Sequence, residues 1–161
     1  MKKRFLFTGF LLIVMLMASC IVALADDDVP PQDLISDNPN FSTYEWRRTI
    51  MPYASDKLEI TRVVSSIIKN SSTSVYIRGV TEVNKQCSIV GAILYVEQWK
   101  DNKWNSYRTL SYTDYNCYAI DAENNITVDS GYYYRLVVQH RAITLGESAD
   151  QVTYTKSLYV N

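Results

Sequence analysis

Apolar and polar residues alternate with a period of two along most of the chain after Lys57. The alternation is clearest at 58–61, 75–81 and 89–99, and β-branched residues fill much of 63–68. A period of two places successive side chains on opposite faces of a strand, and no useful length of the chain shows the 3.6-residue period of a helix. The pattern therefore predicts a succession of short β-strands.

Turn residues separate these stretches about every 10 to 15 residues. Asn70–Ser72 is one turn, and Lys100–Lys103 is a hairpin turn because its Asp and Asn tolerate a left-handed backbone. A further turn is predicted at Asp121–Asn125. The remaining strands are predicted at 104–112, 117–120, 126–128, 132–140 and 152–160. Seven or eight short strands with this spacing are typical of an antiparallel β-sandwich.

The segment 128–138 carries the most specific structural signal. Gly131 lies in a turn, and a tyrosine then opens an apolar alternating strand. Immunoglobulin-like and fibronectin-like sandwiches have a tyrosine at this corner whose hydroxyl bonds back to the backbone. We therefore predict a tyrosine corner at Tyr134, with Tyr133 as the alternative. The fold class that follows is an all-β, antiparallel, immunoglobulin/fibronectin-like β-sandwich of about seven strands.

The beginning of the chain has the layout of a cleaved secretory signal. Met1–Arg4 is basic, 5–25 carries no charged residue, and Ala23-Leu24-Ala25 places small residues at both positions that a signal peptidase inspects. The acidic run 26–28 follows at once. The pattern predicts an N-terminal signal helix, cleavage after Ala25 and a secreted, extracellular protein.

Two other interpretations of this segment stay open. Residues 16–20 resemble a lipoprotein signal in which Cys20 is lipidated, although Met17 fits poorly and the apolar run continues through Ile21-Val22. The uncharged segment is also long enough to span a bilayer without cleavage. In these cases the protein would be lipid-anchored at Cys20 or membrane-anchored by the uncleaved signal.

Cleavage changes the charge balance of the chain. The signal holds three of the 16 basic residues and none of the 17 acidic residues, so the net charge moves from −1 to −4. Such a chain lacks the basic patch that neutralises phosphates, and we expect no nucleic-acid partner. No later segment is apolar enough to span a membrane, so no membrane span is expected in the mature chain.

Composition also divides the chain into parts. Residues 1–25 are the predicted signal peptide. Residues 26–56 begin with Asp, Pro, Asn and Ser and continue as an aromatic, irregular stretch, which predicts a flexible leader and a partly ordered lead-in. Residues 57–161 form the predicted β-sandwich domain, and the mature chain has the size of one ordinary domain.

Two cysteines, Cys87 and Cys117, remain in the mature chain. In an oxidising exterior, an even number of cysteines near strand ends favours one disulfide, and the alternative is two free buried thiols. A bond closing a loop of about 30 residues stabilises a protein by roughly 3–4 kcal/mol in the chain-entropy estimate. Two cysteines and the lone His140 are too few for a metal centre, and we expect neither a metal site nor a cofactor.

The chain contains none of the common catalytic motifs. It has no Gly-x-Ser-x-Gly elbow, no HExxH and no Gly-rich phosphate loop, and His140 is predicted to end a strand without a catalytic partner. Scattered carboxylates can form the pair that glycosidases use, as random surface carboxylates also can. They are Glu97, Asp114, Asp121, Glu123, Asp129 and Glu147. We expect no catalytic residues and a protein that is not an enzyme.

Thirteen tyrosines and three tryptophans are the unusual feature of the composition. Alternation places Tyr95 and Trp99 on one face, opposite the apolar side chains of their strand. It places Trp104 in the core. Tyr107 opposes Trp104 along its strand, so alternation places Tyr107 on the face of Tyr95 and Trp99. Tyr95, Trp99 and Tyr107 are thus a candidate ligand patch that stacks on sugar rings or on another protein. The alternative is that most of these rings fill the edges of the core.

Several motifs together resemble small exported β-sandwich proteins of Gram-positive bacteria, most of them catalogued as domains of unknown function. The motifs are the strand 75–80, the hairpin 94–104, Gly131–Arg135, Gly146–Ser148 and the final strand. The resemblance covers about residues 57–160. It implies a cell-envelope or extracellular location and supplies no functional residues.

Taken with the aromatic composition, these features predict an exported, non-catalytic binding or cell-envelope-associated module. Its partner would be a cell-wall glycan or another surface protein. The alternatives are a self-assembling envelope structural protein, in which edge strands pair between copies, and a small secreted hydrolase.

Overall fold

The computed structural model describes residues 29–48 and 56–161. The predicted signal helix, the cleavage site after Ala25 and the alternative lipidation site Cys20 lie outside the described residues. Within the two described ranges, no helix is long and apolar enough to cross a membrane.

The described residues form seven strands and one short 3₁₀-helix at Gln32–Leu34. Every strand pairing is antiparallel, and the strands make one curled sheet. The all-β, antiparallel prediction is therefore confirmed. The strands are β1 (Phe41–Arg47), β2 (Ile60–Ser71), β3 (Ser74–Lys100), β4 (Lys103–Thr127), β5 (Tyr132–Thr144), β6 (Glu147–Tyr154) and β7 (Leu158–Val160).

The strand β3 takes part in both halves of the curled sheet. Its residues 74–83 pair with β2, and its residues 89–99 pair with β5. The opposite edge of β3 pairs with β4 on both sides of a register shift between Glu82 and Cys87. Such an irregularity bends a strand. The bend in β3 brings β2 over β5 and β6, and β2 contacts these two strands without pairing with them.

The core lies between the two halves of the sheet. Its fully buried apolar side chains come from alternate positions of β2, β3 and β5, as the period of two requires. Gly79 allows the halves to approach, since a Cβ there would lie 3.1 Å from both Leu94 Cδ1 and Val138 Cγ1. The curled sheet thus encloses a single continuous core.

A series of buried hydrogen bonds crosses this core. His140 is fully buried, and its Nδ1 and Nε2 atoms each lie 2.8 Å from a hydroxyl, of Thr81 and Thr153 respectively. The Thr153 hydroxyl also bonds to the hydroxyl of Ser65 on β2. Burial lowers the pKa of His140 to about 4. The prediction that His140 ends its strand is wrong, because β5 continues to Thr144.

Tyr134 makes the backward hydrogen bond expected of a tyrosine corner. Its hydroxyl donates to the Asp129 carbonyl at 2.9 Å and accepts from Gln98 Nε2 at 2.7 Å. Gly131 has a φ of +88° in the turn between these residues. The ring is fully buried, and burial raises the pKa of Tyr134 to about 12. The bond is made by Tyr134 and not by its alternative, Tyr133.

Two predicted turns are present in the structure. Ser71 ends β2 and Ser74 begins β3, beside the predicted turn at Asn70–Ser72. Asp101 and Asn102 join β3 to β4 with φ values of 56° and 58°. Both residues are therefore left-handed, as a two-residue hairpin turn requires.

The predicted division of the two long strands is wrong. The stretches 75–81 and 89–99 belong to one strand, and β4 runs without interruption through the turn predicted at Asp121–Asn125. Asp121, Glu123 and Asn125 lie on the outer face of the sheet, where Arg78 Nε donates to Asp121 Oδ1 at 2.7 Å. Their polarity reflects exposure of a paired strand, not a turn.

The sheet also includes residues before Lys57. Residues 41–47, expected to be an irregular lead-in, form β1 and pair with β2 along their whole length. The preceding leader is bound to the end of the chain. The amide of Ser157 donates to the Leu34 carbonyl, and the amide of Ser36 donates to the Ser157 carbonyl, both at 2.7 Å.

Cys87 and Cys117 are register partners on β3 and β4, but both are free thiols. The disulfide predicted between them is therefore not formed in the structure. The Cys87 thiol is instead directed along its own strand, where its sulfur lies 3.4 Å from the Lys85 carbonyl oxygen. Burial raises the pKa of the Cys87 thiol, which favours the unreactive protonated form.

Candidate functional site

Seven aromatic side chains lie on the outer face of the half-sheet formed by 89–99 of β3 with β4, β5, β6 and β7. The even-numbered residues 90–98 of β3 are buried, so its odd-numbered residues point outward, and their register partners share that face. We call this surface the outer aromatic face. Its rings are Tyr95, Trp99, Trp104, Tyr115, Tyr133, Tyr154 and Tyr159.

Arg135 lies at the centre of the outer aromatic face. Its guanidinium carbon is 4.3 Å from the centroid of the Trp104 ring and 5.6 Å from that of Tyr154. Its Nε also donates to Glu97 Oε2 at 2.7 Å, within a half-buried ion pair. Cation–π attraction and the ion pair together hold the rings around a polar centre.

Trp99 and Trp104 face each other across the end of the β3–β4 hairpin. Their ring centroids are 5.1 Å apart, and the planes meet at 67°, an edge-to-face arrangement. Both indole N–H groups are buried, and neither has a hydrogen-bond acceptor among the described residues. An unpaired buried donor typically costs about 1–3 kcal/mol, so two of them at one place mark a site that is not optimised for stability alone.

The structure brings together Tyr95 and Trp99 from the predicted patch but not Tyr107. The register shifts between Val96 and Glu97, and Tyr107 is the extra residue on β4 at that point. Its ring packs on the core side, 5.4 Å from the ring centroid of Tyr134, and burial raises its pKa. Trp104 occupies the outer face in its place, so the prediction that Trp104 lies in the core is wrong.

The extra residue at Tyr107 is a β-bulge, and it explains why Tyr107 and Trp104 lie on the faces opposite to those predicted. Alternation assigns Trp104 and Tyr107 to opposite faces correctly, but the added residue reverses which face points inward beyond it. Arg135 and Tyr154 were missed because they join the site through cross-strand register, whereas Glu97 lies between Tyr95 and Trp99 on one strand and the period of two already placed it on their face. Alternation from the buried Tyr134 would have placed Tyr133 and Arg135 outward, and this is the signal in the sequence that could have found them.

A shallow depression lies on the same face, beyond Tyr95. Gly91 forms its floor, with Thr113 on one side and Arg141 on the other in the same cross-strand row. The cavity here measures about 330 Å³, and Gly91 is one of its lining residues. Its walls include Ile89 and Ile93, so the outer aromatic face extends into a mainly apolar hollow.

Three of the six carboxylates considered for hydrolysis, Glu97, Asp121 and Glu147, are engaged in ion pairs. Arg78 lowers the pKa of Asp121, and Lys85 lowers that of Glu147, through hydrogen bonds in both cases. A general acid needs the opposite shift. Within the described ranges, no group of three or more His, Cys, Asp or Glu side chains is placed to hold a metal ion.

Comparison with known proteins assigns no family to the chain. No protein-family model matches it, and no curated protein matches it. The role of the outer aromatic face is therefore inferred from its own residues and geometry.

Proposed function

We propose that the protein is an exported, non-catalytic binding module that holds a cell-wall glycan on the outer aromatic face. The observation that carries the proposal is the gathering of Trp99, Trp104 and Tyr154 around the Arg135–Glu97 ion pair. Aromatic rings stack on the apolar faces of sugars, while the charged groups bond to hydroxyls. Both kinds of contact are needed for an amphipathic ligand such as a sugar.

The shape of the face favours a polymer over a small molecule. Neighbouring strands lie about 4.8 Å apart, and outward residues along one strand lie about 6.8 Å apart. Tyr95, Trp99 and Tyr133 thus form an open platform instead of an enclosed pocket. A platform of this size offers several adjacent stacking positions, which suits the repeated rings of a glycan chain.

Export to the cell envelope is the second part of the proposal. The basic, apolar and small-residue order of 1–25 supports a secretory signal, and the resemblance to exported β-sandwich proteins of Gram-positive bacteria supports an extracellular location. We also propose an immunoglobulin/fibronectin-like sandwich as the fold. The resemblance to exported β-sandwich proteins, the Tyr134–Asp129 hydrogen bond and the packing of β2 over β5 and β6 support it.

Replacing Trp99 should abolish most of the glycan affinity. We expect Trp99→Ala to weaken binding to purified bacterial cell-wall glycan by about tenfold or more, because a stacked aromatic contact contributes about 0.5–1.5 kcal/mol beyond the area it buries. Sedimentation of the protein with the insoluble glycan, followed by a glycan array, measures this. The matched control is Tyr76→Ala, which removes a tyrosine bonded to Glu123 on the other half of the sheet. Equal binding by the two variants would contradict the proposed site.

Self-assembly is a second candidate function, and the free edge of β4 favours it. This strand has 25 residues and pairs with β3 alone among the described elements. Lys103 and Arg108 lie in its first half, whereas Asp121 and Glu123 lie in its second half. Antiparallel pairing of two copies along this edge would place opposite charges near one another. A strict monomer in sedimentation at high concentration would exclude this function.

A further inference from the structure

A groove separates the two free ends of the curled sheet. The strand order β1-β2-β3-β5-β6 leaves β1 and β6 as edges that do not pair with each other. The cavity between them measures about 400 Å³. It is lined by residues 36–38 and 41–44 on the side of β1 and by Tyr154 and Lys156 on the side of β6.

The backbone of β1 presents hydrogen-bonding groups at this edge that pair with no other strand of the described residues. The Asn40 carbonyl accepts from Lys69 on β2, and the Arg48 amide donates to Thr61 on β2. In an antiparallel pair the backbone groups of successive residues alternate between the two sides of the strand. Even-numbered residues of β1 therefore bond to β2, and odd-numbered residues such as Thr43 direct their N–H and C=O groups away from it.

A neighbouring contact agrees with this alternation. The Phe41 carbonyl, on the free side, accepts a hydrogen bond from the Ser36 hydroxyl at 2.8 Å, not from β2. On β6 the Thr155 amide next to the strand end donates to Leu136 of β5. The backbone of Tyr154 is therefore directed to the free side of β6 by the same rule.

The direction of the two edges allows one strand to lie between them. Four antiparallel pairings separate β1 from β6, so both edges run in the same sense along the sheet. A segment antiparallel to β1 is consequently antiparallel to β6 as well. Four residues of β1 line the groove, a length of about 13 Å at 3.3 Å per residue.

The side chains at the rim are aromatic and accessible. Phe41 is 48 % exposed, Tyr44 39 % and Tyr154 53 %. The Lys156 ammonium lies 3.4 Å from Asp37 Oδ2, an exposed pair that links the two sides. Aromatic rims beside unpaired backbone groups are suited to alternate apolar side chains on an extended chain.

We infer that this groove docks an extended peptide segment of a partner protein, which adds a strand to the free edge of β1. The backbone of the segment bonds to the outward N–H and C=O groups of β1, and alternate apolar side chains pack on Phe41 and Tyr154, while Tyr44 lies on the opposite face of β1. The groove shares Tyr154 with the outer aromatic face, but the backbone groups of β1 that bond to the segment lie outside that face, so the inference goes beyond glycan binding and does not depend on it.

A proline at the outward position tests the backbone contact. Thr43→Pro removes an N–H that points away from β2, so the ladder with β2 keeps its hydrogen bonds. Thr43→Val is the matched control, since it also loses the hydroxyl contact with Ser66 but keeps the N–H. The probe is a phage library of random heptapeptides, selected on the wild-type protein without added glycan, because a glycan on the outer aromatic face would cover Tyr154.

We expect the selected peptides to share alternate apolar residues, to bind the Val variant like the wild type and to bind the Pro variant about tenfold more weakly or worse. Synthetic copies of the peptides, methylated either at the odd-numbered or at the even-numbered backbone nitrogens, should lose binding to the wild-type protein in one of these two series. This comparison keeps the test valid if the Pro variant fails to fold. Failure to select any sequence, binding unaffected by either methylation register, or equal binding to both variants would overturn the inference. Glycan binding by Trp99→Ala is scored separately and distinguishes failure of this inference from failure of the proposed function.

Discussion

Lowering the pH from 7 to 4 is expected to destabilise the protein by about 3 kcal/mol through His140 alone. Burial lowers the pKa of this residue to about 4 from an ordinary value of 6.5. The unfolded chain therefore binds a proton between these two values that the folded chain does not bind, and stability rises with pH across that range. The stabilisation is fully present above pH 6.5 and is lost as the pH falls through 6.5 to about 4.

The environment of His140 explains why the folded state resists protonation. Its two ring nitrogens contact only the neutral hydroxyls of Thr81 and Thr153. An imidazolium there would be a buried charge without a counter-ion, which proteins tolerate poorly. In the neutral ring one nitrogen donates to a hydroxyl and the other nitrogen accepts from a hydroxyl. Protonation turns the accepting nitrogen into a donor, so the hydrogen bond that the hydroxyl donated to it is broken.

Denaturant unfolding at pH 7, 5.5 and 4.5 measures this effect, with His140→Gln as the control. The variant keeps an amide that can bond to one or both hydroxyls but has no group that titrates in this range. It should be less stable at pH 7 and should lack the part of the slope that His140 contributes. Carboxylates such as Asp121 and Glu147, whose pKa values are lowered, titrate in both proteins and cancel in the comparison. Parallel stability curves would show that His140 is not the cause.

Removing the hydroxyl of Tyr134 should cost about 1–3 kcal/mol of unfolding free energy, and removing the whole ring about 3–5 kcal/mol. In Tyr134→Phe the buried Gln98 amide loses its acceptor and the Asp129 carbonyl loses its donor. In Tyr134→Ala a fully buried ring that contacts Tyr107 is replaced by a cavity. The first loss is one of hydrogen bonding and the second is mainly one of packing.

Tyr133→Phe is the matched control for the loss of the hydroxyl. Tyr133 is the adjacent residue on the same strand, and its ring packs at the surface with a centroid 4.9 Å from that of Tyr159. A surface change of this kind should alter stability by less than about 0.5 kcal/mol. Urea unfolding of the three variants, compared by midpoint at equal slope, measures the differences. Similar losses for Tyr133→Phe and Tyr134→Phe would mean that the corner hydrogen bond does not stabilise the fold.

Local chemistry made part of this structure predictable. The turn at Asp101 and Asn102 follows from two residues that tolerate a positive φ, and the corner at Tyr134 follows from Gly131 and the apolar strand after it. The face shared by Tyr95 and Trp99 follows from the period of two. Each of these features depends on a few residues that are neighbours in sequence.

Features that depend on bulges and on partners were not predictable in this way. A single extra residue at Tyr107 exchanges the faces of Tyr107 and Trp104, and no local pattern marks the position of a bulge. The acidic and amide residues at 121–125 carry the composition of a turn, yet pairing with β3 keeps them extended. The order of strands, and with it the site around Arg135, is set by contacts between residues far apart in the chain.

The strand β1 shows a second limit. It lies at an edge of the sheet and buries few side chains, so its sequence lacks the strong alternation of a central strand. Ser42 is its one fully enclosed side chain, and Trp46 is half-buried against the core. An edge strand with such a pattern resembles an irregular segment until its partner strand is known.

The three tryptophans allow ligand binding by the outer aromatic face to be observed ring by ring. Nitrogen-15 NMR of the indole N–H groups, recorded during titration with soluble fragments of bacterial cell-wall glycan, reports on each ring separately. Trp99 and Trp104 lie on the outer aromatic face, and Trp46 lies on β1 and serves as the internal control. We predict that the signals of Trp99 and Trp104 shift in a saturable way while that of Trp46 stays in place. Saturable binding that shifts Trp46 alone, or no shift of any indole signal at millimolar glycan, would contradict this prediction.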